Sequence, residues 1–246
     1  MLEKISAALK ISSDDIVIEI GPGHGELTRF ILEKSPRKLI AIEKDENLVS
    51  SIQYLVSSND NLEIINGDAL EILPTIPKTY NLSPSTYKIA GNIPYYITGK
   101  LLRTIGELRE KPSLVVLTIQ KEVAERLVAE PPKMNLLAAS VRFWGRPEII
   151  KSVSRNAFKP RPKVHSAIIQ ITTDKLEKSP EESAKYYGFI KMLFKQPRKT
   201  VLNNLTAGSK HTKAEVEEFL KSQGVEPKLR PQNLDITTIN ILSQSF

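Results

Sequence analysis

The 246 residues carry 35 Lys and Arg against 28 Asp and Glu, a formal net charge of +7, and 40% of them are hydrophobic. That is enough apolar material for one large domain, or one domain with a small appendage, and the positive excess favours a polyanionic partner. The absence of cysteine excludes disulfides, thiolate nucleophiles and Cys-based zinc sites, and with no bilayer-length apolar run and no secretory-type start the expected compartment is the cytoplasm.

In chain order, IVIEI (Ile16–Ile20) reads as a buried strand stopped by Gly-Pro-Gly. ELTRFILEK then places Leu27, Phe30 and Ile31 on one helical face. KLIAIE (Lys38–Glu43) is a second strand, and the helix after it opens on Asp45 as N-cap. LEIIN (Leu62–Asn66) is a third strand, followed by a Pro-rich loop, and YKIAGN (Tyr87–Asn92) a fourth. GKLLRTIGELRE reads as a helix, SLVVLTIQ as a fifth strand and KEVAERLVAE as another helix. Alternation of this kind implies a parallel sheet covered on both faces. PEIIKSV and KVHSAIIQI have no helix between them, which fits an antiparallel pair at the sheet edge. Beyond residue 173 the runs 179–205 and 212–224 read as helices, giving a division into a Rossmann-like α/β domain, 1–173, and a small all-helical domain, 174–246.

Three strand ends carry chemistry. EIGPGHGELT sets Gly21, Gly23 and Gly25 between strand and helix, where glycine permits a tight turn and close backbone approach to a ligand. Glu43 ends the second strand about twenty residues further on, where a carboxylate can accept both hydroxyls of a ribose. Asp68, in NGDAL, could accept from an adenine amine while the Ala69 N–H serves the ring. Each acidic residue alone has an ordinary reading as a loop or capping residue. Together, on one sheet edge, they define a crevice for an adenosine-containing cofactor. The third glycine follows the second by two residues rather than three, which disfavours NAD and favours S-adenosylmethionine.

The fourth strand ends on the same edge, at GNIPYYIT. With EIGPGHGELT, AIEKD, NGDAL, QKEVAERL, FKPRPKVHSAI and FKQPRKTVLNNL in order, the sequence resembles the ribosomal RNA adenine N6-dimethyltransferases (KsgA type), with the Erm methyltransferases as close relatives. The resemblance implies a Rossmann-like S-adenosylmethionine-dependent methyltransferase sheet. It implies cofactor contacts at Glu19, Gly21, Gly23, Glu43, Asp68, Ala69 and Asn92, and no metal. Asn92 and a carbonyl in the Ile93-Pro94 turn would accept the protons of the target amine, whose lone pair is otherwise delocalised into the ring. Pro94 suits that turn because it has no N–H to compete with the target. Tyr95 would stack on the base and Phe158 would supply the second face, although a core or strand-edge aromatic is the plain reading of Phe158. Tyr96 stays unassigned, His24 reads as incidental and His165 as structural.

The stretch from Arg142 to Lys163 is rich in Lys and Arg, with Phe143, Trp144 and Phe158 interleaved, and suits a nucleic acid with unstacked bases. Lys159 and Arg161, with Arg198 and Lys199, are the expected phosphate contacts. The expected partner is ribosomal RNA in the small-subunit precursor, with no membrane, met by a monomer. Family members usually carry a KKxxGQNFL-like segment before the helix that begins here at MLEKISAALKI. Without it the methionine end of the cofactor is expected to be more open to water, which keeps a non-catalytic RNA-binding or assembly factor among the readings. An Erm-type enzyme acting on large-subunit RNA is the alternative within the same chemistry.

Overall fold

Short aliphatic runs that are apolar on both faces can be buried only in the middle of a layered sheet, and that is where they lie. The computed structural model describes residues 1–56, 58–83, 86–158, 160–174 and 178–246. Seven strands form one sheet: β1 (Ile16–Ile20), β2 (Lys38–Glu43), β3 (Leu62–Asn66), β4 (Tyr87–Gly91), β5 (Leu114–Gln120), β6 (Gly145–Val153) and β7 (Ser166–Thr173). Their order is β3-β2-β1-β4-β5-β7-β6. The first five are parallel; β7 pairs antiparallel with both β5 and β6. Every residue of β1 is buried, as is all of β2 except Lys38.

Helices α1 (Leu2–Ala8), α2 (Glu26–Leu32), α3 (Glu46–Val56), α4 (Ala69–Ile72), α5 (Ile76–Thr79) and α6 (Thr98–Glu107) accompany the parallel strands. Asp45 caps α3 as expected, its carboxylate accepting from the Asn47 N–H at 2.9 Å. Ile5, Leu9, Leu27, Ile31 and Ile52 pack with Val17, Leu39, Ala41, Ala90 and Val116 in a dry core. The chain order places β2 on one side of β1 and β4 on the other, so the connections diverge at the β1–β4 pair. In open α/β sheets a crevice opens outside the carboxyl ends of the strands at such a point.

Register fixes what meets there. Ile20 pairs with Ile42 and with Gly91, so Gly21, Glu43 and Asn92 emerge side by side. Glu43 pairs with Asn66, which brings Gly67 and Asp68 into the same row. The β1–β4 approach is close: a Cβ on Gly91 would lie 2.9 Å from the Ile20 carbonyl oxygen and 2.8 Å from Ile93 Cγ2. A backbone oxygen in a central ladder cannot yield. Gly91→Ala is therefore expected to destabilise the protein by about 2 kcal/mol in chemical denaturation; a midpoint equal to wild type would show that the strands can part.

The molecule divides into two compact units, Met1–Ala124 with Gly145–Lys175, and Glu125–Trp144 with Leu176–Phe246. The single boundary expected after residue 173 is thus replaced by an interleaved path. The reason lies in the second unit's own core, where Met134, Ala138, Ala139 and Phe143 pack with Tyr186, Ile190, Leu193, Leu205 and Leu242. The helices involved are α8 (Leu136–Arg142), α9 (Pro180–Leu193), α10 (Val201–Gly208), α11 (Lys213–Ser222) and α12 (Ile236–Ser245); α7 (Lys121–Leu127) spans the first crossing. Phe143 stacks on Tyr186 with ring centroids 3.9 Å apart, and the Tyr186 hydroxyl donates to the Ala139 carbonyl. Capping boxes start α9 at Ser179 and α11 at Thr212. The helical run expected across 179–205 breaks around Pro197, which cannot donate in a helix interior. Among the described residues, no helix is long and apolar enough to cross a membrane.

Candidate active site

A cavity of about 440 Å³ opens at the carboxyl ends of β1, β2, β3 and β4. It is lined by Gly21, Glu43, Asp68, Ala69 and Pro94 of the expected set, and also by Ile20, Ile42, Lys44, Asp45, Gly67, Tyr96 and Ile97. Glu19, Gly23, Asn92, Tyr95 and Phe158 are not among its lining residues.

The glycine loop is built for close approach. Gly21 and Gly23 have φ of +65° and +60°, and a Cβ on either would meet nothing within 4 Å, so the backbone here faces open space. Glu43, 8% exposed, holds the loop from below. Its Oε2 accepts from the Gly23 N–H at 3.0 Å, and its Oε1 from the Lys44 and Asp45 N–H groups at 2.8 and 3.0 Å. Three of the roughly four acceptor positions of a carboxylate are therefore taken by backbone. One acceptor position remains at Oε2.

Asp68 caps α4 through the Leu70 N–H at 2.9 Å and accepts from Lys44 Nζ at 2.9 Å. The Lys44 ammonium, then the Leu70 amide, hold its carboxyl below the ordinary range. Lys44 meets Asp68 across 24 residues, a pairing that no local spacing in the sequence signals. Tyr96, 83% exposed, is a ring at the cavity.

Glu19 lies one layer beneath, 1% exposed on β1. Its Oε2 accepts from the Thr28 hydroxyl at 2.8 Å, and its buried Oε1 has no partner among the described residues. Burial pushes its carboxyl up to about 8, opposed by the Thr28 bond and reinforced by the Glu43 charge. Between the ordinary value of 4.5 and about 8, the folded state keeps a proton that the unfolded state has lost. Stability should therefore fall as pH rises through that window and level off above it. Glu19→Gln cannot titrate, so its melting temperature is expected to fall less than that of wild type between pH 5 and 8.5. Parallel curves would show that Glu19 is charged throughout.

Asn92 follows β4, half-buried, and its side chain makes no hydrogen bond among the described residues. Pro94 is exposed, and Tyr95 begins a single 3₁₀ turn, Tyr95–Ile97. The Tyr95 phenol oxygen lies 2.6 Å from Ser166 Oγ. Phe158 is half-buried and packs against the sheet core.

The basic stretch is less aromatic at its surface than its sequence implies. Phe143 is 6% and Trp144 3% exposed, so neither offers a face to a base; both are consumed by packing. Arg142 donates to the Val128 carbonyl and to Glu130, and so serves structure. Arg161 is exposed, while Lys159 lies outside the described residues. Arg198 and Lys199 are exposed on the α9–α10 connection, which buried Asn204 pins by bonding the Gln196 N–H and the Gln196 and Thr200 carbonyls. His24 is exposed in the glycine loop, and His165 is exposed just before β7. Among the described residues there is no cluster of His, Cys, Asp and Glu that could hold a metal ion.

The donor set fits the cofactor expected: an open glycine loop, a free acceptor position on Glu43, and Asp68 and Ala69 on the wall of one cavity. The model of the family described as ribosomal RNA adenine dimethylase matches residues 1–244. The "Ribosomal RNA small subunit methyltransferase A" of Halothermothrix orenii is 36% identical, over 100% of this chain and 83% of that protein. That of Levilactobacillus brevis is 34% identical, over 100% of this chain and 85% of its relative. Among solved structures, a dimethyladenosine transferase from Plasmodium falciparum superposes with a TM-score of 0.79 at 27% identity, covering 99% of this chain and 95% of that one. The 23S rRNA methyltransferase ErmE gives a TM-score of 0.75 at 23% identity, over 99% and 95%, a likeness of fold.

Proposed function

The chain belongs to the ribosomal RNA adenine dimethylase family, and on that premise we propose how its residues methylate adenosines of small-subunit ribosomal RNA. The protein is an S-adenosylmethionine-dependent rRNA adenine N6-dimethyltransferase. The observation that carries the residue roles is the row of Gly21, Glu43, Asp68 and Asn92 at the ends of four adjacent parallel strands.

S-adenosylmethionine, when bound, supplies an electrophilic methyl group carried on a sulfonium. Gly21 and Gly23 leave space for it, with Glu19 buried beneath. Glu43 offers its free acceptor position to a ribose hydroxyl. Asp68, once Lys44 is displaced from one oxygen, accepts from the adenine amine, and the Ala69 N–H serves the ring. The side-chain oxygen of Asn92 and a carbonyl in the Ile93-Pro94 turn accept the two protons of the target amine. That turns the amine lone pair out of conjugation and toward the methyl group, so that positioning supplies most of the acceleration. The methylated amine then loses its proton to solvent, and no strong base is required. Tyr95 provides a face for the target ring and the exposed part of Phe158 a second one.

Arg161, Arg198 and Lys199, with Lys159, meet phosphates of the RNA. We place the protein in the cytoplasm, working as a monomer on the small-subunit precursor. The test is methylation of isolated small and large subunits with labelled donor, followed by mass analysis of the adenosines. Dimethyladenosine is expected in the small subunit; label in the large subunit alone would overturn this reading.

A further inference from the structure

We infer that Ser166 is a positioning residue for methyl transfer: its hydroxyl fixes the ring of Tyr95 against which the target base stacks. The inference rests on the reading above and names a residue that reading does not use.

Tyr95 sits on a single 3₁₀ turn supported by two backbone bonds, from the Ile97 N–H to the Pro94 carbonyl at 3.2 Å and from the Thr98 N–H to the Tyr95 carbonyl, neither of which holds the ring. A ring on such a turn is free to swing about two side-chain torsions unless its far end is tied. The tie is the 2.6 Å hydrogen bond between the phenol oxygen and Ser166 Oγ. Ser166 is rigid in every respect that matters. It is fully buried, and it is the first residue of β7. It pairs with Gln120, the last residue of β5, on one side and with Val153, the last residue of β6, on the other. Since β5 lies between β4 and β7, the bond reaches from the turn after β4 past one strand and anchors on the next, joining residues 71 apart in sequence.

The adjacent residue supplies the contrast. Tyr96 stands on the same turn, makes no side-chain hydrogen bond among the described residues, and is 83% exposed. Of two consecutive tyrosines, the half-buried one has a fixed hydroxyl within reach and the exposed one does not. A stacking face contributes to rate only if its plane is set before the base arrives, because misplacement of the target amine relative to the methyl group is what the reaction tolerates least. A bond to a buried strand residue supplies that order without occupying the ring face.

The full-length protein is compared as wild type, Ser166→Ala, Tyr95→Phe and the double variant, by single-turnover methylation of small subunits and by calorimetric titration with S-adenosylmethionine. Each single variant should lose about tenfold in single-turnover rate, the loss of one neutral hydrogen bond expressed at the reacting centre. Donor affinity should be unchanged, and the double variant should be no slower than the slower single one. Serine burial without a positioning role would lower the melting temperature of Ser166→Ala and leave the rate alone. A wild-type rate in Ser166→Ala, or losses that multiply in the double variant, would overturn the inference while leaving the methyltransferase reading intact. Wild type without methyl transfer to either subunit would overturn that reading, and the inference with it.

Discussion

Asn92→Ala is expected to cut single-turnover methyl transfer by about 10²-fold, the cost of losing one preorganised hydrogen-bond group at a reacting centre. Folding and donor binding should be spared, and the structure supplies the reason. The Asn92 side chain makes no hydrogen bond among the described residues, so its removal orphans no partner. The backbone of β4 is held by its pairing with β1 and β5, which ends at Gly91. On the proposed mechanism, what the substitution removes is the acceptor for the target amine. Rapid-quench measurement with labelled donor separates this from a binding defect, and calorimetry should return the wild-type donor affinity. Wild-type turnover in the variant would remove Asn92 from the mechanism.

Glu43→Ala should have the opposite signature, with binding and stability lost together. One carboxylate accepts three backbone N–H groups, from Gly23, Lys44 and Asp45, at a site that is 8% exposed. Alanine leaves those donors without their charged acceptor and lets the glycine loop relax away from β2. A loss of roughly 3 kcal/mol in chemical denaturation is expected, since bonds to ionised groups outweigh neutral ones and some of the freed N–H groups reach water. Donor affinity should fall by roughly 10²-fold, because the proposed ribose acceptor and the loop that frames the pocket go together. Glu43→Gln keeps one carbonyl acceptor and should fall between the two. An alanine variant as stable as wild type would mean that the loop is supported elsewhere.

The strands of the sheet were legible because their environment is uniform: a run such as Ile16–Ile20, buried on both faces, needs no knowledge of its neighbours to be recognised. The sequence order of chemistry-bearing strand ends was legible for the same reason, since parallel strands deliver their carboxyl ends to one side. Short elements were not. α4 and α5 have four residues each, too few for a helical period, and appear in sequence only as a Pro-rich loop. α12 carried a readable signal, Asp235 before an apolar run at helical spacing, with its carboxylate accepting from the Thr238 N–H. The aromatic residues of the basic stretch misled because their burial is decided by partners far away in sequence, such as Tyr186 beneath Phe143. The occupancy of the site carboxylates was hidden too. That Glu43 is spoken for by backbone and Asp68 by Lys44 depends on loop geometry, which no spacing encodes.

The interleaved path of the chain sets the order in which the molecule can be made. Synthesis runs from the N-terminus, yet β5 gains its second neighbour only when β7 arrives at Ser166–Thr173. Segment 125–144 waits longer still. Met134, Ala138, Ala139 and Phe143 have no core of their own until Tyr186, Leu193, Leu205 and Leu242 emerge, the last of them within α12. A nascent chain therefore displays an apolar segment from the time residue 144 is made until α12 emerges, the kind of exposed surface that chaperones hold and that aggregates when they do not. Stopping translation after residue 173 would release a sheet unit trailing an unclosed flap rather than a separable domain.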